Sequence, residues 1–152
     1  MFNIVLLEPR IPQNTGTIGR LCYALGATLH LIKPYGFEIT EKALRRAGLD
    51  YWKDLKVLEY ENIEEFWIKN PKSSRHFFAT TKTKKPYFEE NFKPDDYFWF
   101  GREDAGLPAD LLEEFTTNCV TIPMISEARS LNVANSVSVV AYEALRQNFK
   151  LW

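Results

Sequence analysis

The sequence has little cysteine and no long apolar run. Its 152 residues include two cysteines, Cys22 and Cys119, and neither belongs to a CxxC pair or to a Cys/His cluster with zinc-site spacing. This argues against a disulfide scaffold and a structural metal, and we expect two ordinary buried thiols. The longest apolar runs, such as residues 2–7, are far shorter than the ~20 residues that span a bilayer, and no charged segment precedes them. We expect a cytoplasmic protein without membrane contact.

Several motifs of common enzyme classes are also absent. No GxGxxG follows the first apolar run, and no GxxxxGK[ST] or GxSxG occurs, so dinucleotide binding, phosphate-loop hydrolysis and nucleophile-elbow chemistry have no support. The sequence has two histidines. His30 lies inside an apolar run and His76 begins one, and both are interpreted as structural residues. A catalytic triad is therefore not expected.

The charges nearly cancel. Nineteen Lys and Arg against twenty Asp and Glu leave a formal net charge of −1, so no global field attracts a polyanion. Two local basic clusters remain, one at helical spacing and one in a predicted loop. They are Lys42, Arg45 and Arg46, and Lys82, Lys84 and Lys85. Charge alone favours reading both as solvated surface.

The order of apolar and polar segments predicts an α/β fold. Strands are predicted over 2–7, 28–32, 56–60, 76–81, 96–100 and 118–122, and helices over 14–25, 40–47, 63–69, 108–114 and 132–149. Such alternation is typical of a mostly parallel sheet with helices on both faces. With 45% hydrophobic residues and no linker or repeat, residues 1–152 are predicted to form a single domain.

Three polar clusters follow predicted strands, where parallel α/β sheets bind ligands. Asn14 and Gly16 come after the first strand, and Gly101 and Gly106 bracket a turn after the fifth. Taken alone, the first cluster is better explained as a helix cap, whereas a plain turn explains the second cluster as well as a ligand site does. The third cluster opens the last helix and comprises Ser130, Asn132, Asn135 and Ser136. Capping uses one or two such groups and not four, so this helix start is predicted to face a ligand.

These clusters belong to three segments that resemble a known family. The segments are IPQNTGTIGR at 11–20, FGREDAGLP at 100–108, and IPM at 122–124 followed by SLNVANS at 130–136. Together they are similar to the motifs of the SPOUT RNA methyltransferases. The similarity is greatest to the branch that methylates ribose 2′-hydroxyls, and within it to the minimal members that modify the wobble nucleotide, position 34, of tRNA. It extends from about residue 2 to residue 147.

The resemblance implies a fold and a cofactor that periodicity alone does not indicate. It implies an α/β domain with a C-terminal deep trefoil knot, an active site formed across a homodimer, and S-adenosylmethionine as methyl donor, with S-adenosylhomocysteine as product and no metal. The residues implied to bind the cofactor are Ala79, Gly101, Ile122, Ser130 and Leu131.

The resemblance also implies how the reaction is assisted. A ribose 2′-oxygen attacks the methyl carbon, so the hydroxyl must be aligned and must lose its proton. The implied catalytic residues are Arg20, Asn14, Glu103, Ser130 and Asn132. Because arginine is a poor base, we interpret Arg20 as a fork that holds a phosphate near the reacting ribose.

The partner implied is the anticodon region of tRNA. Arg45, Arg46, Lys82 and Tyr142 are the residues predicted to bind it, with Lys42, Lys84 and Lys85 as further phosphate contacts. With the resemblance admitted, RNA binding becomes the preferred interpretation of both basic clusters.

Three alternatives stay open from sequence. The chain could methylate ribosomal RNA or a base nitrogen, it could be a non-catalytic RNA-binding knot protein, or it could methylate a pyrimidine through Cys22 or Cys119. The last would need an exposed thiolate of low pKa, which the apolar surroundings of both cysteines disfavour. Gly19, Arg102 and Asp104 depart from the family pattern, which bears on fine specificity.

Overall fold

The computed structural model describes residues 1–40, 42 and 52–152. Within them, six parallel strands form one sheet in the order β3-β2-β1-β5-β4-β6. The strands are β1 Asn3–Leu7, β2 Thr28–Ile32, β3 Val57–Tyr60, β4 His76–Ala79, β5 Tyr97–Phe100 and β6 Cys119–Val120. The helices are α1 Pro12–Leu25, α2 Ile63–Lys69, α3 Ala109–Glu114 and α4 Val133–Asn148. Most of the predicted helix over 40–47, with Arg45 and Arg46, lies outside the described residues.

Local sequence explains where the two long helices begin and end. Proline occupies the first position of α1, where its missing N–H costs nothing, and Gly26 ends the helix at a φ of 64°. Asn132 caps α4, since its Oδ1 accepts the N–H groups of Ala134 at 2.9 Å and Asn135 at 3.2 Å. No helix in the described part of the chain has the length and hydropathy of a membrane span.

Apolar side chains cover both faces of the sheet. On one face α1 and α4 pack against the strands and against each other, with Ile18, Cys22 and Val137 buried among them. On the other face Phe66 of α2 and Leu111 of α3 pack against Trp99 of β5. Because β5 alternates its side chains between these two cores, the predicted placement of helices on both faces is confirmed.

The last strand is shorter than predicted. Strand β6 has two residues, Cys119–Val120, instead of the predicted 118–122. Beyond it, the Thr121 N–H donates to the Lys85 carbonyl at 2.8 Å, and the Thr121 carbonyl accepts the Tyr87 N–H at 2.9 Å. The chain therefore leaves β4 after Val120 and pairs with the segment that the sequence predicts as a loop.

Gly19, which departs from the family pattern, has a packing role in the structure. A Cβ at this position would lie 2.7 Å from Cζ3 of Trp52 and 3.3 Å from Cδ2 of Leu55. The absence of a side chain therefore lets the indole approach the helix backbone.

His30 lies in a buried chain of polar groups at β2. Its Nε2 is 2.9 Å from Oδ1 of Asn3, so this nitrogen carries the proton, and its Nδ1 is 2.8 Å from the Tyr60 hydroxyl. The chain continues through Asn70 to the hydroxyl of Tyr97. Burial, with smaller contributions from the charges of Lys56 and His76, lowers the His30 pKa to about 4.

His76 is held in the same neutral form. Its Nδ1 accepts the Nε1–H of Trp99 at 3.0 Å, and its Nε2 is 3.2 Å from the Pro71 carbonyl. A second proton on Nδ1 would break the bond to Trp99. Burial lowers the His76 pKa to about 4. Both histidines are therefore structural, as the sequence predicts.

Acid is expected to destabilise the fold through these two histidines. Their pKa values fall from 6.5 in the unfolded chain to about 4 in the folded one, so the unfolded chain binds more protons as pH drops through this range. Above about pH 7 the two neutral histidines make their full contribution to the free energy of unfolding. At low pH this contribution falls by at most about 3 kcal/mol per histidine. Carboxyl groups whose pKa is lowered by folding, such as that of Glu143, titrate below 4.5. The change in the free energy of unfolding between about pH 7 and about pH 5 therefore comes mainly from the histidines.

Urea unfolding at about pH 7.5, about pH 6 and about pH 5 measures this loss. The free energy of unfolding should be level above about pH 7 and should decline below it. A level profile down to about pH 5 would contradict the assignment.

Candidate functional site

A cavity of about 430 Å³ opens at the carboxyl ends of β1, β4, β5 and β6. Its walls come from the start of α1, the segment after β4, the turn after β5, the segment after β6 and the start of α4. The predicted site residues that line it are Asn14, Ala79, Lys82, Gly101, Glu103, Ile122, Ser130, Leu131 and Asn132. Residues from all three sequence motifs therefore meet in one place.

Strand order explains how Glu103 reaches α1. Strands β1 and β5 are parallel neighbours, so the segments that follow them leave the sheet side by side. Oε2 of Glu103 accepts the N–H of Arg10 at 2.9 Å, and Oε1 accepts the N–H of Ile11 at 3.1 Å. Ile11 precedes α1 and has no capping side chain, so Glu103 supplies acceptors that the local sequence lacks.

Glu103, Asn14 and Asn132 form a continuous chain of hydrogen bonds, which we call the amide relay. Nδ2 of Asn14 donates to Oε1 of Glu103 at 3.4 Å, and Nδ2 of Asn132 donates to Oδ1 of Asn14 at 3.0 Å. Asn132 in turn caps α4. The relay joins the three motifs and places the N-termini of two long helices at the cavity, where their dipoles favour negative charge.

The turn after β5 is held closed by glycine. A Cβ on Gly101 would lie 2.1 Å from the carbonyl carbon of Gly106 and 2.3 Å from the amide nitrogen of Leu107. Arg102 and Gly106 form an antiparallel bridge across the turn, and Gly106 has a φ of 69°. Gly101 is therefore needed for close backbone approach at the cavity wall.

Arg102 and Asp104 neutralise each other. Nε and Nη2 of Arg102 donate to the two carboxylate oxygens of Asp104 at 2.9 and 2.7 Å. This contact lowers the pKa of Asp104. The unusual charges around Glu103 thus form their own exposed pair, and Glu103 stays bonded to the α1 start.

The cavity lining combines apolar and polar side chains. Phe100, Leu107, Ile122, Met124 and Leu131 form the apolar part. Met124 was not singled out by sequence analysis, although it follows Ile122 in the quoted motif. These apolar side chains suit contact with a flat heteroaromatic group.

Arg20 and Tyr142 do not line this cavity. Both are exposed, Arg20 on the outer side of α1 and Tyr142 on α4 with 51% of its surface accessible. Within the described residues Arg20 has no ion-pair partner. Sequence motifs placed Arg20 with Asn14, but six helical positions separate them and turn Arg20 to a different side of α1.

The basic cluster at 82–85 divides into two kinds of residue. Lys82 lines the cavity, and Lys82 and Lys84 are exposed. Lys85 instead bonds to the Glu90 carboxylate and to the Thr117 carbonyl, which ties two segments together. Sequence analysis grouped all three as phosphate contacts, whereas the structure engages Lys85 internally.

A model of the SpoU rRNA Methylase family matches residues 1–142. The chain belongs to the SpoU rRNA methylase family. The tRNA (cytidine(34)-2'-O)-methyltransferase of Saccharophagus degradans is 47% identical to it over 148 residues, which cover 97% of this chain and 96% of that protein. The family prediction from the three motifs is thus confirmed.

Two solved structures show the same SpoU-family fold. One, described as structural insights into the 2-OH methylation of C/U34 on tRNA, has a TM-score of 0.92 and 40% identity, covering 99% of this chain and 97% of that chain. AviRb from Streptomyces viridochromogenes, in complex with the cofactor AdoMet, has a TM-score of 0.81 and 25% identity, covering 97% of this chain and 57% of that one.

Neither cysteine has the environment of a nucleophile. Cys22 is fully buried and its pKa rises to about 12, and burial also raises the pKa of Cys119. Among the described residues, no group of three or more His, Cys, Asp and Glu side chains is arranged to hold a metal ion. Cysteine-dependent methylation therefore lacks structural support in this SpoU-family protein.

Proposed function

We propose that this protein transfers the methyl group of S-adenosylmethionine to the ribose 2′-hydroxyl of nucleotide 34 in tRNA. The observation that carries the proposal is the 47% identity with a tRNA (cytidine(34)-2'-O)-methyltransferase over nearly the full length of both chains. The meeting of all three motifs in one cavity supports it. A tRNA substrate also supports a cytoplasmic location, and the family match over residues 1–142 supports a single domain with the family's knot.

The cavity fits the proposed cofactor in size and chemistry. Its volume of about 430 Å³ lies within the usual range of small-molecule sites. Ile122 and Leu131 would flank the adenine, while Ala79, Gly101 and Ser130 would contact the ribose and methionine parts through backbone and hydroxyl groups. When bound, S-adenosylmethionine supplies an electrophilic methyl group on a sulfonium. The protein must then align a ribose oxygen with that carbon.

Arg20 would complete the site from a second copy of the chain. It is exposed on α1, has no ion-pair partner among the described residues, and does not line the cavity of its own subunit. In a homodimer it would hold the phosphate next to the reacting ribose and stabilise negative charge there. Tyr142, exposed on the adjacent α4, would lie near the same RNA segment.

Lys82 and Lys84 would contact the RNA backbone at the cavity mouth. Replacing Lys84 with alanine is expected to weaken tRNA binding several-fold and to reduce the slope of log Kd against log salt by about one, because one phosphate contact is lost. Filter binding across a salt series measures both quantities. Lys93→Ala, which removes the same charge at the amino edge of the sheet, is the matched control.

If Lys84→Ala and wild type had equal slopes of log Kd against log salt, Lys84 would not contact the RNA.

Lys85→Ala is expected to act differently from Lys84→Ala. It should lower the unfolding midpoint, since the contacts of Lys85 with Glu90 and Thr117 are internal.

Nucleoside mass spectrometry tests the proposed reaction. Purified protein and S-adenosylmethionine are incubated with bulk tRNA that lacks ribose methylation at position 34, with ribosomal RNA in a parallel reaction. We expect 2′-O-methylcytidine or 2′-O-methyluridine in tRNA alone. A methylated base, or product only in ribosomal RNA, would move the protein to another reaction class. RNA binding without any product would indicate a non-catalytic binding protein.

A further inference from the structure

Three neighbouring strands of the sheet are each followed by a basic residue. Arg10 follows β1, Arg102 follows β5 and Lys82 follows β4, and these strands are adjacent in the order β1-β5-β4. Because the strands are parallel, all three residues leave the sheet at its carboxyl edge. Arg102 and Lys82 line the cavity, and Arg10 precedes Ile11, which also lines it. We call Arg10, Arg102 and Lys82 the basic arc. Strand order thus brings three positive charges to the cavity mouth.

One carboxylate is bonded directly to the basic arc. The hydrogen bond to Asp104 is the main reason why the pKa of Arg102 is raised, and the charges of Glu8 and Glu103 add to it from a distance. The Glu103 carboxylate itself accepts backbone N–H groups at the start of α1. Among the described residues, Asp104 is therefore the carboxylate that occupies a guanidinium of the arc.

The pair formed by Arg102 and Asp104 has the geometry of a phosphate contact. Nε and Nη2 of Arg102 donate to the two carboxylate oxygens at 2.9 and 2.7 Å. Two oxygens of a phosphodiester accept the same two N–H groups of a guanidinium. The side chains of Arg102 and Asp104 are 33% and 59% exposed. An exposed pair of this kind stabilises a fold very little, so an incoming phosphate can displace the carboxylate at small cost.

Arg10 brings a second guanidinium to Asp104. Its backbone is fixed, because Glu103 accepts its N–H at 2.9 Å and a Cβ on Gly36 would lie 2.9 Å from its Cα. Its Nε is buried and, in the described part of the chain, has no hydrogen-bond acceptor. The pKa of Asp104 is lowered first by the hydrogen bond from Arg102 and more weakly by the charge of Arg10. One carboxylate is thus shared between two guanidinium groups.

We propose that Arg102 binds a backbone phosphate of the substrate RNA and that Asp104 occupies this phosphate site until the RNA displaces it. The inference rests on the proposed function. Because the pair is exposed at the cavity mouth, its site is open to a polymer that passes over the cavity and is not limited to an enclosed small molecule. In the free protein Asp104 holds the fork of Arg102 in place. In the complex its displacement offsets part of the affinity gained, which favours release of the RNA.

Asp104→Asn frees Arg102 and tests this exchange. Asparagine keeps the size of the side chain and removes its charge. In filter binding with tRNA that lacks ribose methylation at position 34, we expect Kd to fall about fivefold. The slope of log Kd against log salt should steepen by about one, because one more positive charge is available to the RNA. Arg102→Ala alone should raise Kd about threefold.

A double-mutant cycle separates the exchange from a general loss of negative charge. If Asp104 only repelled RNA, Asp104→Asn would tighten binding by the same factor with or without Arg102. In the exchange the gain depends on Arg102, so in the Arg102→Ala background it should be less than about twofold. Glu113→Gln is the matched control, since Glu113 is exposed on α3 and does not line the cavity. Its Kd should stay within about 1.5-fold of wild type.

Three results would overturn the exchange. The first is an equal gain from Asp104→Asn in the wild-type and Arg102→Ala backgrounds, or a similar gain from Glu113→Gln. The second is a large drop in the unfolding midpoint of Asp104→Asn, because a pair that holds the turn would be too costly to open. The third is an Arg102→Ala protein that loses S-adenosylhomocysteine binding at unchanged tRNA affinity, which would assign Arg102 to the cofactor carboxylate.

The proposed function fails by a different measurement. Wild-type protein that forms no 2′-O-methylnucleoside would overturn it. The cycle is measured as Kd and needs no turnover, so it decides the exchange between Asp104 and an RNA phosphate separately.

Discussion

Replacing Arg20 with alanine is expected to reduce methyl transfer about 100-fold or more, with no change in the unfolding midpoint. Arg20 is exposed on α1 and makes no ion pair among the described residues, so its removal leaves no buried group unpaired. The loss would come from the transition state, where the guanidinium holds a phosphate beside the attacking oxygen. Initial rates with radiolabelled S-adenosylmethionine, together with thermal unfolding, measure the two effects.

Arg20→Lys separates geometry from charge. Lysine keeps the positive charge and lacks the planar fork, so we expect only partial recovery of activity. Full recovery would show that charge alone suffices. Turnover of Arg20→Ala within about threefold of wild type would exclude Arg20 from the reaction.

Subunit mixing tests whether Arg20 acts across a homodimer. Arg20→Ala and Asn132→Asp each damage one half of the proposed composite site. A mixed dimer contains one site in which both residues are wild type, so activity should reappear when the two inactive proteins are combined and allowed to exchange subunits. If both residues act within one subunit, mixing should restore nothing.

Replacing Gly101 with alanine is expected to abolish cofactor binding and to lower the free energy of unfolding by about 2–4 kcal/mol. The added methyl carbon would lie 2.1 Å from the carbonyl carbon of Gly106 and 2.5 Å from its oxygen. Both contacts are with backbone, which no side-chain rotation can relieve. The turn must therefore open, and the cavity wall moves with it. Calorimetry with S-adenosylhomocysteine and urea unfolding measure the two losses.

Gly26→Ala is the matched control for Gly101→Ala. Gly26 has a φ of 64°, and no atom lies within 4 Å of an added Cβ. Alanine there pays only the cost of the left-handed conformation, about 1–2 kcal/mol, and cofactor affinity should be unchanged. Equal cofactor affinity in Gly101→Ala and Gly26→Ala would contradict the role given to the turn.

Periodicity predicts most of the fold because each strand and helix follows a local pattern. The helix Ile63–Lys69 and the strand Thr28–Ile32 were predicted with the observed bounds. The predicted end of β6 was wrong. Thr121 and Ile122 are both β-branched, which is typical of a strand, so the local pattern extended the strand to residue 122. Thr121 instead pairs with Lys85 and Tyr87, which lie more than thirty positions away along the chain.

The sequence by itself determined the alternation of strands and helices, the two structural histidines and the family, because these depend on spacing within short segments. Only the tertiary structure decided which polar groups pair. It joined Glu103 to Asn14 across 89 positions and Asn14 to Asn132 across 118 positions. It also engaged Lys85 in internal contacts while leaving Lys84 exposed, and it placed Arg20 outside the lining of the cavity. The physical reason is that a side chain's partner depends on which strands are neighbours and which helix face is buried, and both follow from the packing of the whole chain.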